Sequence, residues 1–420
     1  MGFRQEYKKK SFSYLHGLLH YIEPEISNVK NSQELIVNLI DTFSHLAFEK
    51  ILLISSDEIA DNQLLENLYK LGLKSNINFI SYPLTDNQAT VFHVEKALHK
   101  YVSNNCEAIL IMGDSVAIDL GKAVKARVLN PNKNIYQMRG FTNIPIRKQE
   151  PLLFIVPLSL AGNESNLSCY VLDHTNFKKI GIFDRLMSAD YIYYCPLLLA
   201  NLSMEQFIGT ICISLANALE ALISENSTKN SKATADLAIK LILDAFENSV
   251  FKEIPRLQEV HAQTENNVKT KISQEKKEKF RSILESLQEA ANLSGTAAAN
   301  SLTGYTQALS NALEVHYQVV NYKISPMLFL AVLKMYQKQL TSSNQDNLQS
   351  ISHYSDLFSE ISEALVKIIS NWQLQRHFTF LRTNNFDSII GLTEKEMATF
   401  YASPFELDKD NLVAILKSVQ

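Results

Sequence analysis

Few stretches of this chain contain residues that could do chemistry together. The segment TICISLANALEALIS, Thr210 to Ser224, has the spacing of an amphipathic helix. It places Ile213 and Asn217 four residues apart on one helical face, and an apolar group and a neutral amide supply no acid, base or strong metal ligand. The sequence also contains no G-x-S-x-G elbow, no Walker loop and no H-E-x-x-H motif. Candidate chemistry must come from weaker patterns.

One weaker pattern is a single glycine between a strand-like run and a helical segment. The chain has only 12 glycines, so a surviving glycine loop carries more weight. In EAILIMGDSVAIDLGKAV, Gly113 stands where backbone N–H groups and a helix N-terminus can bind phosphate. Asp114 adds a carboxylate where the phosphate would lie, which costs Coulombic energy unless the side chain points away. Single glycines before helices are common, so this loop alone is weak evidence.

The composition is that of an ordinary soluble globular protein. Of 420 residues, 46% are hydrophobic and 20% are charged, and the net charge is −4. This balance gives no electrostatic reason to expect nucleic acid or an anionic membrane as a partner. Four scattered cysteines without a CxxC pair fit a reducing compartment. Since no signal-peptide core and no apolar run of roughly 18–20 residues occurs, we expect a cytoplasmic protein.

The hydrophobic periodicity divides the chain into two parts. Up to about Ser203, short apolar runs alternate with helical segments, which predicts a doubly wound, Rossmann-like α/β domain. From there on, apolar residues recur at i, i+3, i+4 and i+7, which predicts an all-helical domain. The predicted strands are KILLISS, INFISYPL, EAILIMGDS, PLLFIVPLS and LSCYVLD. The predicted limits are an N-terminal extension over 1–34, the α/β domain over 35–203 and the helical domain over 204–420.

Five segments resemble, in order, the motifs of the iron-containing alcohol dehydrogenase family, which includes glycerol dehydrogenases and maleylacetate reductases and is related to dehydroquinate synthase. CEAILIMGDSVAIDLGKAV is similar to the strand, GGG-Ser loop and Asp-x-x-Lys helix that hold the cofactor pyrophosphate. FIVPLSLAGNES is similar to the Pro-Thr-Thr…Ser-Gly-Ser-Glu loop, and YYCPLLLANLSMEQFIGTICISLANALEAL aligns without a gap to the first metal-binding segment. SGTAAANSLTGYTQALSNALEVHYQVVNY resembles the helix with the next two histidines, and ELDKDNLVAILKSV the C-terminal helix. The resemblance covers residues 35–420.

The resemblance implies Fe²⁺ or Zn²⁺ held by one Asp and three His, and this chain departs from that set at every position. The Asp falls on Ile213, and the histidines fall on Asn217, Gln307 and Asn321. A further His, often assigned to proton transfer, falls on Asn311. Neutral amides are poor ligands for these metals and isoleucine is none, so we expect no metal here. The amides either satisfy one another, as buried amides usually do, or line a pocket for a polar ligand.

The resemblance also implies NAD or NADP as the cofactor. The GGG-Ser loop falls on residues 113–116, so one glycine of three remains. Asp57 follows the first strand, where the family chooses between NAD and NADP; it could accept ribose hydroxyl bonds or simply cap a helix. Dinucleotide binding stays open at this point. The candidate cofactor-binding residues are Asp57, Gly113, Asp114, Ser115, Asp119, Lys122, Ser159 and Gly162.

Two hypotheses of different classes follow from these departures. In the first, the chain is a diverged NAD(P)-linked oxidoreductase that has lost the metal-dependent alcohol and aldehyde reaction, and it either reduces carbonyls without a metal or is degenerate. In the second, it is a non-catalytic pseudoenzyme that acts as a binding or regulatory protein, as the eroded loop and Asp114 suggest. The expected partners are a small-molecule or nucleotide ligand and a second copy in a homodimer, with no nucleic acid and no membrane.

Overall fold

A computed structural model describes residues 24–56, 63–141, 144, 150–247, 274–342 and 346–420. It divides into two compact units. The α/β unit extends to Leu202 and takes in the helical residues up to Gln288, and the helical unit comprises the segment from Ser203 and everything from Glu289 onward. The predicted fold class, a doubly wound α/β part followed by an all-helical part, is confirmed. The predicted domain limits stay predictions.

The α/β unit contains a six-stranded parallel sheet and a small three-stranded sheet. The strands are β1 (Glu25–Asn28), β2 (Lys50–Ser56), β3 (Asn78–Leu84), β4 (Ala108–Gly113), β5 (Gly140–Phe141), β6 (Leu152–Pro157), β7 (Ser168–Asp173), β8 (Lys178–Phe183) and β9 (Tyr191–Tyr194). The helices are α1 (Ser32–His45), α2 (Gln63–Lys74), α3 (Val91–Ser103) and α4 (Ser115–Leu129).

The large sheet has the order β1-β9-β6-β4-β2-β3 and is covered on both faces. Alternate residues of each central strand point to opposite faces of the sheet. Leu53 and Leu110 pack with α1 and α2 on one face, whereas Leu52 and Ile109 pack with α3 and α4 on the other. Burial on both faces explains why β2, β4 and β6 read as continuous apolar runs. The chain reverses its direction of strand addition between β2 and β4, which makes the carboxyl ends of these two strands a topological switch point.

The five strands expected from the sequence are present, but four others were not predicted. These are β1, β5, β8 and β9. Three of them have four residues or fewer, or lack a full apolar run, so periodicity alone does not separate them from loops. The fourth, β8, begins with two lysines and pairs antiparallel with β7 in the small sheet, so it lacks the continuous apolar run of a central parallel strand.

The helical unit is built around one almost completely buried helix. Its helices are α5 (Met204–Ile223), α6 (Lys229–Glu247), the C-terminal part of α7 (Gln274–Ser301), α8 (Tyr305–Tyr317), α9 (Asn321–Ser342), α10 (Asp346–Gln349), α11 (Ser355–Asn371), α12 (Phe386–Phe400) and α13 (Lys409–Val419). Helix α5 packs on α6 and α9, and α8 packs on α9 and α12. Ser203 and Gln206 form a capping box that starts α5.

The segment SGTAAANSLTGYTQALSNALEVHYQVVNY, which resembles the family's helix with two histidines, does not form a single helix in the structure. The segment is divided between the end of α7, the whole of α8 and the start of α9. Leu302 has a φ of 64° and Gln318 a φ of 55°, and a left-handed residue ends an α-helix because it turns the next carbonyl out of the ladder. Two consecutive breaks thus give α8 its own N-terminus and C-terminus.

Among the described helices, α5 is the one long and apolar enough to cross a membrane by length and composition. However, 89% of its apolar stretch is buried inside the protein, as in the core helix of a soluble protein. Gly209 explains part of this burial, since a Cβ there would lie 2.1 Å from the carbonyl oxygen of Tyr322. The backbones of α5 and α9 therefore approach each other at a point where only glycine fits.

Candidate functional site

The loop at the end of β4 begins the candidate cofactor site. Strand β4 ends at Gly113 and α4 begins at Ser115, so Asp114 is the N-cap residue between them. The Asp114 carboxylate does not point away: its Oδ1 accepts hydrogen bonds from the backbone N–H groups of Val116 and Ala117, both at 3.1 Å. These are first-turn donors of α4, which a helix leaves without intrahelical partners. The Asp114 carboxylate is therefore hydrogen bonded to the N–H groups where the resemblance leads us to expect a cofactor phosphate.

Gly113 is required by packing inside the protein. A Cβ on Gly113 would lie 2.6 Å from the Ala117 Cβ and 3.1 Å from the Ser56 Cβ. The space that a side chain would fill is therefore taken by the first turn of α4 and the end of β2. The carbonyl of Gly113 accepts a hydrogen bond from the Leu158 N–H at 2.8 Å, which fixes this loop against the continuation of β6.

The second predicted loop follows β6 and surrounds a buried lysine. Ser159 is buried, and its Oγ lies 3.3 Å from the Ser115 Oγ. Gly162 has a φ of 76°, a left-handed conformation that favours glycine. The Lys122 ammonium is fully buried and donates to the carbonyl oxygens of Asn163 at 2.6 Å and Asn166 at 2.5 Å. Lys122 therefore fixes both ends of the turn that carries Glu164.

Glu164 and Lys122 are buried ionisable groups with opposite pKa changes. Burial raises the pKa of Glu164 to about 7, although the Tyr194 hydroxyl donates to its Oε1 at 3.0 Å. Burial lowers the pKa of Lys122 to about 8, against the opposing effects of Asp119 and Glu164. The second carboxylate oxygen of Glu164 is buried and has no hydrogen-bond partner among the described residues. Removal of water on burial therefore has the largest effect on the pKa values of both Glu164 and Lys122.

Of the predicted cofactor residues, the structure brings Gly113, Asp114 and Ser115 together with Ser159 at the carboxyl ends of β4 and β6. Asp119 and Lys122 lie on α4 one turn apart, with Asp119 close enough to raise the pKa of Lys122. Asp57 lies outside the described residues. The assignment of these side chains to cofactor binding stays a prediction.

In the helical unit, Glu220 joins α5 to the start of α8. Its carboxylate is buried and accepts from the N–H groups of Gly304 and Thr306, both at 2.8 Å, and from the Tyr336 hydroxyl at 3.0 Å. Gly304 admits the carboxylate, since a Cβ there would lie 3.1 Å from Glu220 Cδ. Burial raises the pKa of Glu220, and the three donors oppose that rise. Glu220 caps α8 from a neighbouring helix, which positions Gln307 one residue later.

Gln307 and Asn311 form one hydrogen-bonded amide pair on α8. The Gln307 Nε2 donates to the Asn311 Oδ1 at 3.1 Å. The Asn311 Nδ2 donates to the Glu396 Oε2 at 2.9 Å and to the Tyr401 hydroxyl at 3.0 Å, and Tyr401 lies 3.3 Å from the same carboxylate oxygen. At the proton-transfer position, this chain therefore has a buried amide held by a carboxylate and a phenol.

Asn321 belongs to a second polar group at the start of α9. Its Oδ1 accepts from the Ser310 hydroxyl at 2.9 Å and from the Ser325 hydroxyl at 2.7 Å. Both lone pairs of this oxygen are thereby engaged. At the other two ligand positions, Ile213 and Asn217 are 8% and 9% exposed on α5, and no hydrogen bond to the Asn217 side chain occurs within the described residues.

This set of donors does not fit Fe²⁺ or Zn²⁺. Isoleucine has no donor atom, the Gln307 amide is hydrogen bonded to Asn311, and the Asn321 oxygen already accepts two protons. Across the ranges that the structure describes, no group of three or more His, Cys, Asp or Glu could hold a metal. Cys212 offers no substitute: burial raises the pKa of its thiol to about 12, as for a packed core cysteine.

Sequence reasoning missed the partners of these amides. Glu396 and Tyr401 lie on and just after α12, a helix that the periodicity did not predict. Ser310 lies in the middle of α8 and Ser325 near the start of α9, and the packing of these two helices brings both hydroxyls to the Asn321 Oδ1. A buried charged residue such as Glu396 within a weakly amphipathic segment was the available signal, but it does not name its partner.

The comparisons with known proteins agree with this description. The family model of the iron-containing alcohol dehydrogenases matches residues 28–196. The NAD-dependent methanol dehydrogenase of Bacillus methanolicus is 21% identical over 195 residues, which are 46% of this chain and 50% of that protein. The match thus spans only half the length of this curated relative.

Solved structures extend the likeness of fold to almost the whole chain. A 1,3-propanediol oxidoreductase has a TM-score of 0.76 at 16% identity, covering 95% of this chain and 99% of its own. The alcohol dehydrogenase of Oenococcus oeni has a TM-score of 0.75 at 16% identity, with coverages of 95% and 99%. The sulfoacetaldehyde reductase of Bifidobacterium kashiwanohense, solved with NAD⁺, has a TM-score of 0.73 at 14% identity, with coverages of 95% and 98%. The resemblance is therefore confirmed: the family model of the iron-containing alcohol dehydrogenases matches the N-terminal part of this chain, and solved members share its fold.

Proposed function

We propose that this protein keeps the fold of an NAD(P)-linked oxidoreductase but does not carry out the metal-dependent alcohol and aldehyde reaction of its family. The observation that carries this proposal is the state of the former ligand positions. Asn321 accepts two serine hydroxyls, and Gln307 is hydrogen bonded to Asn311. The polar atoms of these side chains are not free to bind a metal ion, because they already make hydrogen bonds that stabilise their own helices.

Loss of the metal removes the Lewis acid that polarises a substrate carbonyl, a contribution of several kcal/mol to the rate. A metal-independent carbonyl reduction would need neutral donors for the developing oxyanion. Asn217 is the one former ligand that meets this requirement, since its amide is mostly buried and has no hydrogen bond within the described residues. NAD or NADP would be the hydride donor, as two relatives are named for NAD or NADH dependence and a third was solved with NAD⁺.

The alternative is a non-catalytic protein that uses the fold for binding or regulation. Asp114 favours it, because a carboxylate hydrogen bonded to the first turn of α4 replaces the phosphate of a dinucleotide. We further propose a cytoplasmic location and a homodimer. Light scattering of the purified chain at several concentrations tests the dimer.

The first experiment combines metal analysis with a turnover assay. The full-length protein, purified from cells supplied with iron and zinc, is analysed by plasma mass spectrometry and then assayed with NADH and NADPH against aldehydes and ketones. We expect far less than one Fe or Zn per chain and no activity that depends on added metal. Metal-free turnover would support the reductase form, and absence of turnover the binding form. Stoichiometric metal whose removal abolishes activity would overturn the proposal.

A restoration variant sharpens this test. Ile213→Asp, Asn217→His, Gln307→His and Asn321→His together rebuild the ligand set that the resemblance implies. We expect this variant to retain zinc or iron through gel filtration, because carboxylate and imidazole donors suit these ions. The matched control carries the three histidines but keeps Ile213, and it should bind metal more weakly. Circular dichroism shows whether each variant has kept its helices.

A further inference from the structure

The carboxyl ends of β2 and β4 form the place where an open α/β sheet of this order binds its ligand. Strand β2 ends at Ser56, and β4 ends at Gly113. The N-terminus of α4 follows directly, and a helix end of this kind, whose first N–H groups have no intrahelical partners, attracts a phosphate. Two features of this chain change what the crevice can accept.

The first feature is the internal anion. The Asp114 Oδ1 accepts from the N–H groups of Val116 and Ala117 at 3.1 Å, and its φ of −76° and ψ of −173° are ordinary for an N-cap. The side chain is therefore held there without strain. A ligand phosphate at the same helix end would compete for the same donors and would meet a like charge at close range.

The second feature is a polar atom without a partner beside this loop. The Ser56 Oγ is buried and has no hydrogen bond among the residues described, and Ser56 is 4% exposed. Its Cβ lies against Gly113, 3.1 Å from where a Cβ would stand. A buried hydroxyl of this kind still has the capacity for a hydrogen bond that no described protein group makes. The crevice therefore has a polar position while its anion position is already filled.

We infer that Asp114 is a built-in anion that weakens the binding of a dinucleotide diphosphate in this crevice, and that neutralising this one side chain strengthens that binding. Asp114 is thus the residue that determines specificity at the switch point. The inference goes beyond the proposed function and rests on it in one respect, namely that this crevice is the one inherited from the NAD(P)-linked fold. It makes no use of the metal positions, so the two proposals fail in different experiments.

The test is a calorimetric titration of the full-length protein with NADH and, separately, with NADPH. Asp114→Asn removes the charge but keeps a side-chain oxygen that caps α4. Asp408→Asn is the matched control, because Asp408 caps α13 in the same way through the Asn411 N–H at 2.8 Å. A second variant, Asp114→Ser, also keeps a capping oxygen and guards against an effect peculiar to the amide.

We expect both Asp114 variants to bind NADH at least tenfold more tightly than the wild type and the control, which corresponds to about 1.4 kcal/mol. The gain should shrink as salt is added, because it comes from removing a charge repulsion. Equal affinity of wild type and both variants, whether tight or undetectable, would overturn the inference. In either of those cases the metal content and turnover of the wild type would still decide the proposed function separately.

Discussion

Replacing Glu220 should destabilise the helical unit far more than replacing another glutamate of the same helix. The Glu220 carboxylate holds three donors: the N–H groups of Gly304 and Thr306 and the hydroxyl of Tyr336. The two N–H groups belong to the first turn of α8 and have no intrahelical partner. All of these groups are buried, so water does not readily replace the lost carboxylate.

The magnitude follows from the number of donors left without a partner. Each buried donor that loses its acceptor costs about 1–3 kcal/mol. Three of them, reduced by local relaxation and by relief of the buried charge, give about 3–5 kcal/mol for Glu220→Ala. Glu220→Gln keeps one acceptor oxygen and should lose about 1–3 kcal/mol.

Thermal unfolding followed by circular dichroism at constant pH measures the effect. At about 2–4 °C per kcal/mol, Glu220→Ala should lower the midpoint by roughly 6–20 °C. Glu205→Ala is the control, because that side chain is 43% exposed and its Lys323 partner is 3.8 Å away. If Glu220→Ala lost no more stability than Glu205→Ala, the carboxylate would not be the cap that organises the start of α8, and the argument would fail.

Three further predictions concern packing, pH and thiol reactivity. Gly209→Ala should destabilise the protein by at least about 1–3 kcal/mol, because the new Cβ would clash with the Tyr322 carbonyl oxygen. The control Gly391→Ala should be neutral or stabilising, because no atom lies within 4 Å of its Cβ, and urea unfolding measures both variants. Burial raises the pKa of Glu164 to about 7 in the folded protein, compared with 4.5 when unfolded. Its contribution to the free energy of unfolding is therefore complete below pH 4.5 and falls by about 3 kcal/mol as the pH rises through 7. Glu164→Gln should flatten this decline in unfolding experiments between about pH 4.5 and 7.5. The four buried cysteines should react with a thiol reagent only after unfolding, since burial raises the pKa of Cys212 to about 12, and fast labelling of the native protein would contradict this.

The sequence predicts the parallel core well because burial on both faces leaves a strong signal. The run KILLISS is strand β2 over its whole length, and the segment from Met204 forms α5 within one residue of its predicted end. Helix α12 was missed, because its interior contains Gly391 and two threonines and its apolar face is interrupted by Glu396. A charged residue that is buried because it makes hydrogen bonds interrupts the apolar periodicity from which its helix would be predicted.

The sequence predicted which residues occupy the candidate site, but it did not predict their hydrogen-bond partners. The resemblance located Asn311 and Asn321, yet their partners Glu396, Ser310 and Ser325 are set by tertiary packing that no local spacing encodes. Asp114 is a similar case. Its charge was visible in the sequence, but the direction of its side chain depends on the turn between β4 and α4.

The departures from the family's motifs change the local charge in opposite directions, and the residues concerned are hydrogen bonded to neighbouring protein groups. At the ligand and proton-transfer positions, where the resemblance implies Asp and His, this chain has neutral residues, and the amides of Asn311 and Asn321 make hydrogen bonds that hold α8, α9 and α12 together. At the phosphate position, a neutral glycine is replaced by the carboxylate of Asp114, and that carboxylate completes the first turn of α4. Burying a carboxylate or imidazole without its ion would cost several kcal/mol, and so would leaving a helix end open in a buried crevice. Because each of these residues is satisfied by neighbouring groups, the fold can persist at 14–16% identity even where the residue types at the site differ.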